Sequence, residues 1–134
     1  MNIELTAREY RRLLDIVYIG NWVLNSMRGD DRIEDYDEVE SRMFSYCIGH
    51  APSLVTVEDD AALPSDAFVD GGIHDAISAY EDAMFFEILA EELARKDLDI
   101  DEIEPDNVDE LANRIDEYIE EFEQNGMNNV SLNI

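Results

Sequence analysis

The segment best suited to bind a metal ion is an acidic run between two predicted helices. Asp97, Asp99 and Asp101 alternate along it, and alternate carboxylates can converge on one hard cation, as in a calcium-binding helix–loop–helix motif. The rest of the run departs from that motif, because Glu102 stands where the sharp turn requires glycine and Val108 where a bidentate glutamate is needed. A weak calcium or magnesium site at the three aspartates is one hypothesis, and a solvated acidic loop is the other.

Softer metal ligands are scarce, because the chain has one cysteine and two histidines. Cys47 and His50 have a spacing that can chelate. A zinc site needs three or four protein ligands, so His74 and a carboxylate such as Asp75 would have to join them. A buried Cys47 and two histidines at helix ends are the simpler interpretation. One cysteine also excludes an intramolecular disulfide and every motif that pairs thiolates.

Motifs for nucleophilic catalysis or nucleotide binding are missing from the sequence. There is no Gly-x-Ser-x-Gly elbow, no Gly-x-x-x-x-Gly-Lys loop and no Gly-x-Gly-x-x-Gly fingerprint. Neighbouring carboxylates such as Glu91 and Glu92 are numerous, but useful pKa shifts need burial or convergence. We therefore expect no catalytic residue and no cofactor. A small cation-dependent enzyme built on the three aspartates is the alternative.

The most unusual property is the net charge of -25, from 34 Asp and Glu against 9 Lys and Arg. Residues 1–29 carry a net charge of +1, so the acidity belongs to the rest of the chain. Such a charge opposes direct binding to DNA, RNA or anionic lipid, because each relies on cationic groups to neutralise phosphates. It favours a basic protein, a cationic ligand or a high-salt environment, and it also gives a solvated surface that resists aggregation.

Carboxylates are dense on the polar side of the fourth predicted helix, where neighbours one turn apart repel each other. The candidate partner-binding residues there are Asp109, Glu110, Asp116, Glu117, Glu120 and Glu121. Trp22 is a further, weaker candidate, because aromatic residues supply anchoring energy at interfaces. The leading hypothesis is a non-enzymatic interaction module for a basic partner surface, with mimicry of nucleic-acid charge as one form of it. Salt adaptation and binding of a divalent cation are the alternatives.

Four helical patterns position these residues. They are expected from Thr6 to about Arg28, from Tyr36 to Ile48, from Ile73 to Lys96, and from a cap at Asp106 or Asn107 to Gly126. The spacing of Thr6 and Glu9 is that of a capping box, which fixes the first helix start. The expected fold class is all-α, a compact bundle of about four helices that forms a single domain over residues 1–134.

The apolar stripes predict which side of each helix is buried. The first helix is apolar nearly all round, so it should be the central helix or a subunit interface, with Gly20 at a close helix crossing. The other helices should bury Val39, Met43, Tyr46 and Cys47 on the second, Ile77, Tyr80, Met84, Phe85, Ile88 and Leu89 on the third, and Val108, Leu111, Ile115, Tyr118, Ile119 and Phe122 on the fourth.

The remaining segments predict little regular structure. Residues 51–72 contain two prolines and two glycines, so a long central loop is expected. A minor β pairing could involve Leu54–Val57, which has no evident partner, or the two ends of the chain, Asn2–Leu5 and Val130–Ile134. The sequence has neither a basic leader nor an apolar segment of membrane-spanning length. We therefore expect a cytoplasmic protein without membrane contact, for which homo-oligomers are an option.

Overall fold

The computed structural model describes all 134 residues, and the chain divides into two compact units, Met1–Ile77 (unit 1) and Ser78–Ile134 (unit 2). The fold is mostly helical, with four long helices and a two-stranded antiparallel sheet. This confirms the predicted fold class. The expectation of a single domain stays a prediction.

The elements follow one another in a simple order. They are α1 (Ala7–Asn25), α2 (Glu34–Ser45), α3 (Cys47–His50), β1 (Val55–Glu58), β2 (Ala61–Pro64), α4 (Asp66–Phe68), α5 (His74–Leu98) and α6 (Val108–Asn125). A 3-10 turn precedes β1 and a π turn follows α4. The boundary between the units falls within α5.

The start of α1 is as predicted, and its end comes three residues earlier. The Thr6 amide donates to Glu9 Oε2 at 2.8 Å and the Glu9 amide donates to Thr6 Oγ1 at 3.2 Å, which completes the capping box. At the other end the buried Asn25 side chain accepts from the Ile33 amide at 2.9 Å and donates to the Ile33 carbonyl at 3.0 Å. Because Asn25 binds this returning backbone, the chain leaves the helix here instead of at Arg28.

The prediction that α1 is a central helix is wrong. Leu14, Asn21 and Asn25 are its buried residues, whereas Ile16 is 67% and Val23 54% exposed. The helix therefore packs by one face only. A Cβ atom added at Gly20 would meet nothing within 4 Å, so no helix crosses closely there.

The second predicted helix is split, and half of its predicted buried stripe is confirmed, because Cys47 is buried and Met43 packs against the core. The α-helix ends at Ser45 and resumes as α3, and Val39 and Tyr46 are exposed. Phe44 is the buried residue, and its ring packs edge-on against Phe68 at 4.9 Å. The inward positions one and two turns before Phe44 are polar, so hydrophobicity alone did not indicate that Phe44 is buried.

The expected central loop contains a β-hairpin. Val55 pairs with Pro64 and Glu58 with Ala61, so the predicted strand has a partner after all. Asp59 and Asp60 both have positive φ, at 50° and 64°, which is the requirement of the type I′ turn that suits a two-residue hairpin. The partner strand was overlooked because Ala-Ala-Leu-Pro has weak β propensity.

The core of unit 1 lies between α1, α2 and the segment that follows them. Its buried members are Leu14, Phe44, Cys47, Ala62 and Phe68. The β2 strand is held to α2 by the Ala62 amide, which donates to Ser41 Oγ at 3.1 Å. Ser65 caps α4 by accepting from the Phe68 amide at 3.2 Å. Local caps thus place Phe68 where α1 and α2 meet.

Unit 2 has a smaller core, formed by Ala94, Ile100 and Leu111 with Leu98, Ile115 and Tyr118 packed against it. The bounds of α6 match the prediction, with Gly126 at φ 56° beyond its end, and Leu111 and Phe122 are buried, whereas Val108 of the predicted stripe is exposed. Asn107 stands at its N-cap position, but its side chain closes the preceding loop by accepting from the Glu104 amide at 2.9 Å. No strand forms at either end of the chain, so the expected pairing of the termini is wrong.

The predicted stripe of α5 is mostly exposed within unit 2. Tyr80, Phe85 and Ile88 are 63%, 50% and 60% exposed, whereas Ala90 and Ala94 on the opposite side are fully buried. Large apolar residues predicted an inward face. On α5 the fully buried positions are small, three large residues of the predicted stripe are exposed, and Met84 and Leu89 are partly buried.

Candidate functional site

Two of the three aspartates of the predicted metal site have separate structural roles, and the third, Asp101, is exposed. Asp97 accepts a hydrogen bond from the Tyr118 hydroxyl at 2.5 Å, which raises the pKa of Tyr118. Asp99 has φ 54° at the end of α5, and the next amide, of Ile100, donates to the Arg95 carbonyl at 3.0 Å. This is a Schellman-type helix end, in which the left-handed position is usually glycine.

No metal-ligand group forms around these aspartates or elsewhere. Nowhere do three or more His, Cys, Asp or Glu side chains converge in a way that could hold an ion. The calcium or magnesium hypothesis for Asp97, Asp99 and Asp101 therefore gains no geometric support. It stays a prediction.

The softer ligands are also engaged locally. The Tyr10 hydroxyl donates to the Met43 carbonyl at 2.6 Å and lies 3.2 Å from the Sγ of the buried Cys47. Burial raises the pKa of Tyr10, and the nearby thiol raises it further. The Nε2 of His74 lies 2.6 Å from the Tyr18 hydroxyl. These contacts give Cys47 and His74 packing roles in unit 1.

Most of the predicted partner-binding acids lie at the surface of α6. Asp109, Glu110, Asp116, Glu117 and Glu120 are exposed. One of them, Glu117, forms an ion pair with Arg114 at 3.3 Å. Glu121 differs, because it is partly buried and accepts from the side-chain amides of Asn125 at 3.1 Å and Asn129 at 2.5 Å. It ties the end of α6 to the tail.

A second exposed feature of unit 2 is apolar. We call Tyr80, Met84, Phe85 and Ile88 the α5 face. Tyr80, Met84 and Ile88 are spaced one turn apart and therefore form a row, with Phe85 beside it. The exposed Glu81 and Glu92 lie one turn from Phe85 and Ile88, so carboxylates border the row on the same helix. The sequence identified these apolar residues but assigned them to the core.

Few cations balance the acids of unit 2. Residues 78–134 hold 18 Asp and Glu against 3 Lys and Arg, a net charge of -15. Arg95 is bound to Glu91 at 2.7 Å and Arg114 to Glu117. Lys96 forms no ion pair, and nearly all the remaining carboxylates are without a cation. The surface around the α5 face is strongly negative.

Unit 1 contains a cleft of about 350 Å³ between α1 and α2, which we call the α1–α2 cleft. It is lined by Tyr18, Asn21, Trp22, Ser26, Arg32 and Glu40. A wider and more open groove of about 660 Å³ runs between α2 and the hairpin. The smaller cleft is the one that combines aromatic, cationic and acidic side chains.

An ion pair closes one side of the α1–α2 cleft. The Arg32 guanidinium donates to both carboxylate oxygens of Asp37, at 2.6 and 2.7 Å, and the Asn21 amide donates to the same carboxylate at 2.9 Å. The hydrogen bonds from Arg32 and Asn21 hold the pKa of Asp37 below its usual value. Such a bidentate pair fixes both side chains and cancels their charge.

Glu40 lies in the same cleft without a cationic partner. It takes part in none of the ion pairs of the structure. Burial raises the pKa of the Glu40 carboxyl, and the negative charge of Asp37 raises it further, while the Asn21 amide and Arg32 oppose the shift. Burial and the Glu40 charge also raise the pKa of Tyr18. Glu40 is thus the one unbalanced charge of the cleft.

The aromatic side of the α1–α2 cleft is a three-ring cluster. Tyr18 and Trp22 stack with their centroids 6.4 Å apart, and His74 packs edge-on against Trp22 at 4.8 Å. Trp22, predicted as part of a partner surface, is therefore placed in this cluster. Sequence reasoning missed the cleft, although Asn21 and Asn25, one turn apart in an apolar helix, were a signal of buried polar contacts.

Comparison with known proteins found no relative of this chain. No protein-family model, no curated protein and no solved structure matches the chain. None of the helices combines the length and apolar content that crossing a bilayer requires.

Proposed function

We propose that this protein is a non-enzymatic binding protein whose unit 2 engages a basic, amphipathic segment of another protein. The observation that carries the proposal is the α5 face, a row of large apolar side chains left exposed on a unit with a net charge of -15. Exposed apolar patches that are bordered by polar residues commonly mark interaction sites.

The apolar contribution to binding comes from the α5 face. Tyr80, Phe85 and Ile88 each expose half or more of their surface, and burying such a side chain is worth about 1.5–3 kcal/mol before the cost of association. A helix in the partner could cover this row with residues spaced one turn apart. The aromatic members are of the type that dominates interface energetics.

The charges select a basic partner. Carboxylates border the row on α5 and cover the exposed side of α6, so lysine or arginine residues flanking an apolar stripe would complement both features. A second copy of this chain is a poorer occupant, because each copy carries a net charge of -25 and the two would repel. Nucleic acid is repelled for the same reason. We place the interaction in the cytoplasm, where the lone Cys47 stays reduced.

The test is the affinity for a designed helical peptide with lysines on one side and leucines on the other. We expect saturable binding that weakens as ionic strength rises from about 0.15 M to about 1 M. A lysine peptide of equal charge without the apolar side should bind at least about tenfold more weakly, because it loses the apolar contacts. Equal affinity for the two peptides would contradict the proposed role of the α5 face.

Variants localise the binding within the chain. Ile88→Ser should weaken the peptide complex by about 1–2 kcal/mol. The matched control is Ile16→Ser on α1, because the two isoleucines are similarly exposed, at 60% and 67%, and Ile16 lies in unit 1. Equal losses for both variants would show that the peptide binds elsewhere.

A further inference from the structure

We propose that the α1–α2 cleft binds a methylated ammonium group of a small organic ligand, with Glu40 as its counter-ion and Tyr18 and Trp22 as aromatic walls. The inference is independent of the proposed function, because every lining residue of the cleft belongs to unit 1.

The charge of the cleft fits a cation. Arg32 is the one positive group in the lining, and its guanidinium is bound through two hydrogen bonds to Asp37. With that pair neutralised, Glu40 leaves a net negative charge. An anionic ligand would have to break the Arg32–Asp37 pair, whereas a cation meets the Glu40 carboxylate, which forms no ion pair.

The aromatic walls favour a methylated cation over a bare ammonium. A methylated ammonium has little need for hydrogen-bond acceptors and is attracted to the faces of tryptophan and tyrosine rings. A primary ammonium has three donors to satisfy. The Asn21 side-chain oxygen already accepts from Asn25 at 2.7 Å, so Glu40 and Ser26 remain as acceptors. The volume of about 350 Å³ is at the lower end of the range for small-molecule pockets.

The burial of Glu40 is the third argument. Its carboxyl lies in a partly desolvated position without an ion pair, and that environment raises its pKa and works against the ionised form. Ionisation of Glu40 in this position lowers the free energy of unfolding at neutral pH. A bound cation would remove the mismatch, because it supplies the missing opposite charge in a site of reduced dielectric constant.

The single tryptophan gives a direct readout, because Trp22 is the only one in the chain and lines the cleft. Trp22 fluorescence is recorded while the intact protein is titrated with choline, and in parallel with 3,3-dimethylbutan-1-ol, which has carbon in place of the cationic nitrogen. We expect a saturable change with choline and at least about tenfold weaker binding of the neutral analogue. Equal binding of the two compounds, or no saturable response to choline, would overturn the proposal.

Two variants separate the cleft from general charge effects. Glu40→Gln should weaken choline binding at least about tenfold, whereas Glu38→Gln, an exposed position on the same helix, should leave it unchanged. Melting curves of both variants show that each is folded. Equal loss in the two variants, or no loss in Glu40→Gln, would contradict the role of Glu40.

Further titrations test whether the cleft prefers methylated cations and whether the bound ammonium group belongs to a small molecule or to a protein side chain. Ethanolamine, which is choline without its three N-methyl groups, should bind more weakly; binding as tight as that of choline would overturn the preference for methylated cations. A peptide containing trimethyl-lysine, compared with its unmethylated form, distinguishes a protein side chain from a free compound; tighter binding than choline would overturn the assignment to a small ligand. Ile88→Ser should not alter choline binding, so failure of this proposal and failure of the proposed function can be told apart.

Discussion

The two units of the chain differ in the side chains that they bury. Unit 1 buries Asn21, Asn25 and Ser65, and no buried side-chain nitrogen or oxygen lacks a hydrogen-bond partner. Unit 2 has no buried polar residue, and on α5 it buries the small Ala90 and Ala94 while Tyr80, Phe85 and Ile88 stay exposed. Unit 1 thus specifies its own packing through polar contacts. For unit 2, we propose that a partner covers the apolar side chains exposed on α5.

The largest difference in stability between the units is expected for two phenylalanine variants. Phe44→Ala should lower the free energy of unfolding of unit 1 by about 3–5 kcal/mol, because Phe44 is fully buried. Phe85→Ala in unit 2 should lower stability by less than about 1 kcal/mol, because half of the side chain is exposed. Urea unfolding followed by Trp22 fluorescence reports unit 1, and hydrogen exchange of α5 and α6 amides reports unit 2. Similar losses at both positions would remove the distinction between the units.

The next effect concerns the buried amide of unit 1. Asn25→Ala should destabilise unit 1 by about 2–3 kcal/mol, because the Ile33 amide and carbonyl lose their partner in a buried position. The matched control is Asn113→Ala on the exposed side of α6, for which we expect a change within about 0.5 kcal/mol. A near-neutral Asn25→Ala would mean that water replaces these hydrogen bonds and that the polar core does not fix the end of α1.

What could be predicted from the sequence was local. The capping box of Thr6 and Glu9 and the length of α6 depend on neighbours within one or two turns, and both were predicted correctly. The early end of α1 depends on Asn25 binding Ile33, eight residues away, and the hairpin depends on two aspartates adopting positive φ. Neither is visible in a hydrophobic pattern.

The candidate sites show the same limit. The exposed acids of α6 were predicted because unpaired carboxylates are almost never fully buried, so most members of a dense set must lie at the surface. The α1–α2 cleft was missed, since it joins Tyr18 and Trp22 on one helix to Glu40 on another, and that pairing follows from the packing of Phe44. The α5 face was assigned to the core, because large apolar residues at helical spacing usually lie there.

A smaller effect should appear at Glu40. Its pKa is raised in the folded protein, so the protonated form stabilises the fold below the unfolded pKa and this stability is lost as pH rises through the folded pKa. Glu40→Gln should therefore raise the melting temperature slightly near pH 7 and have no effect at a pH below the usual glutamate pKa. Melting curves at several pH values check this. A variant that is less stable at neutral pH would contradict the desolvation of Glu40.

The smallest expected effect is that of salt on the free protein. Raising the ionic strength from about 0.15 M to about 1 M screens repulsion between carboxylates, so unit 2 should gain more stability than unit 1. Unit 2 carries a net charge of -15 and unit 1 a net charge of -10. Hydrogen exchange resolved by residue measures both units in one sample. A gain in stability limited to unit 1 would show that repulsion between carboxylates destabilises unit 1 more than unit 2.

The most direct test of the central claim, that unit 2 exposes its α5 face for a basic partner, is backbone amide NMR during titration with the lysine–leucine helical peptide. We expect shifts at Tyr80, Met84, Phe85 and Ile88 and at the exposed acids of α6, with unit 1 unaffected and all shifts reduced at high salt. Shifts centred on α1 or α2, or shifts on α5 that are insensitive to salt, would contradict it.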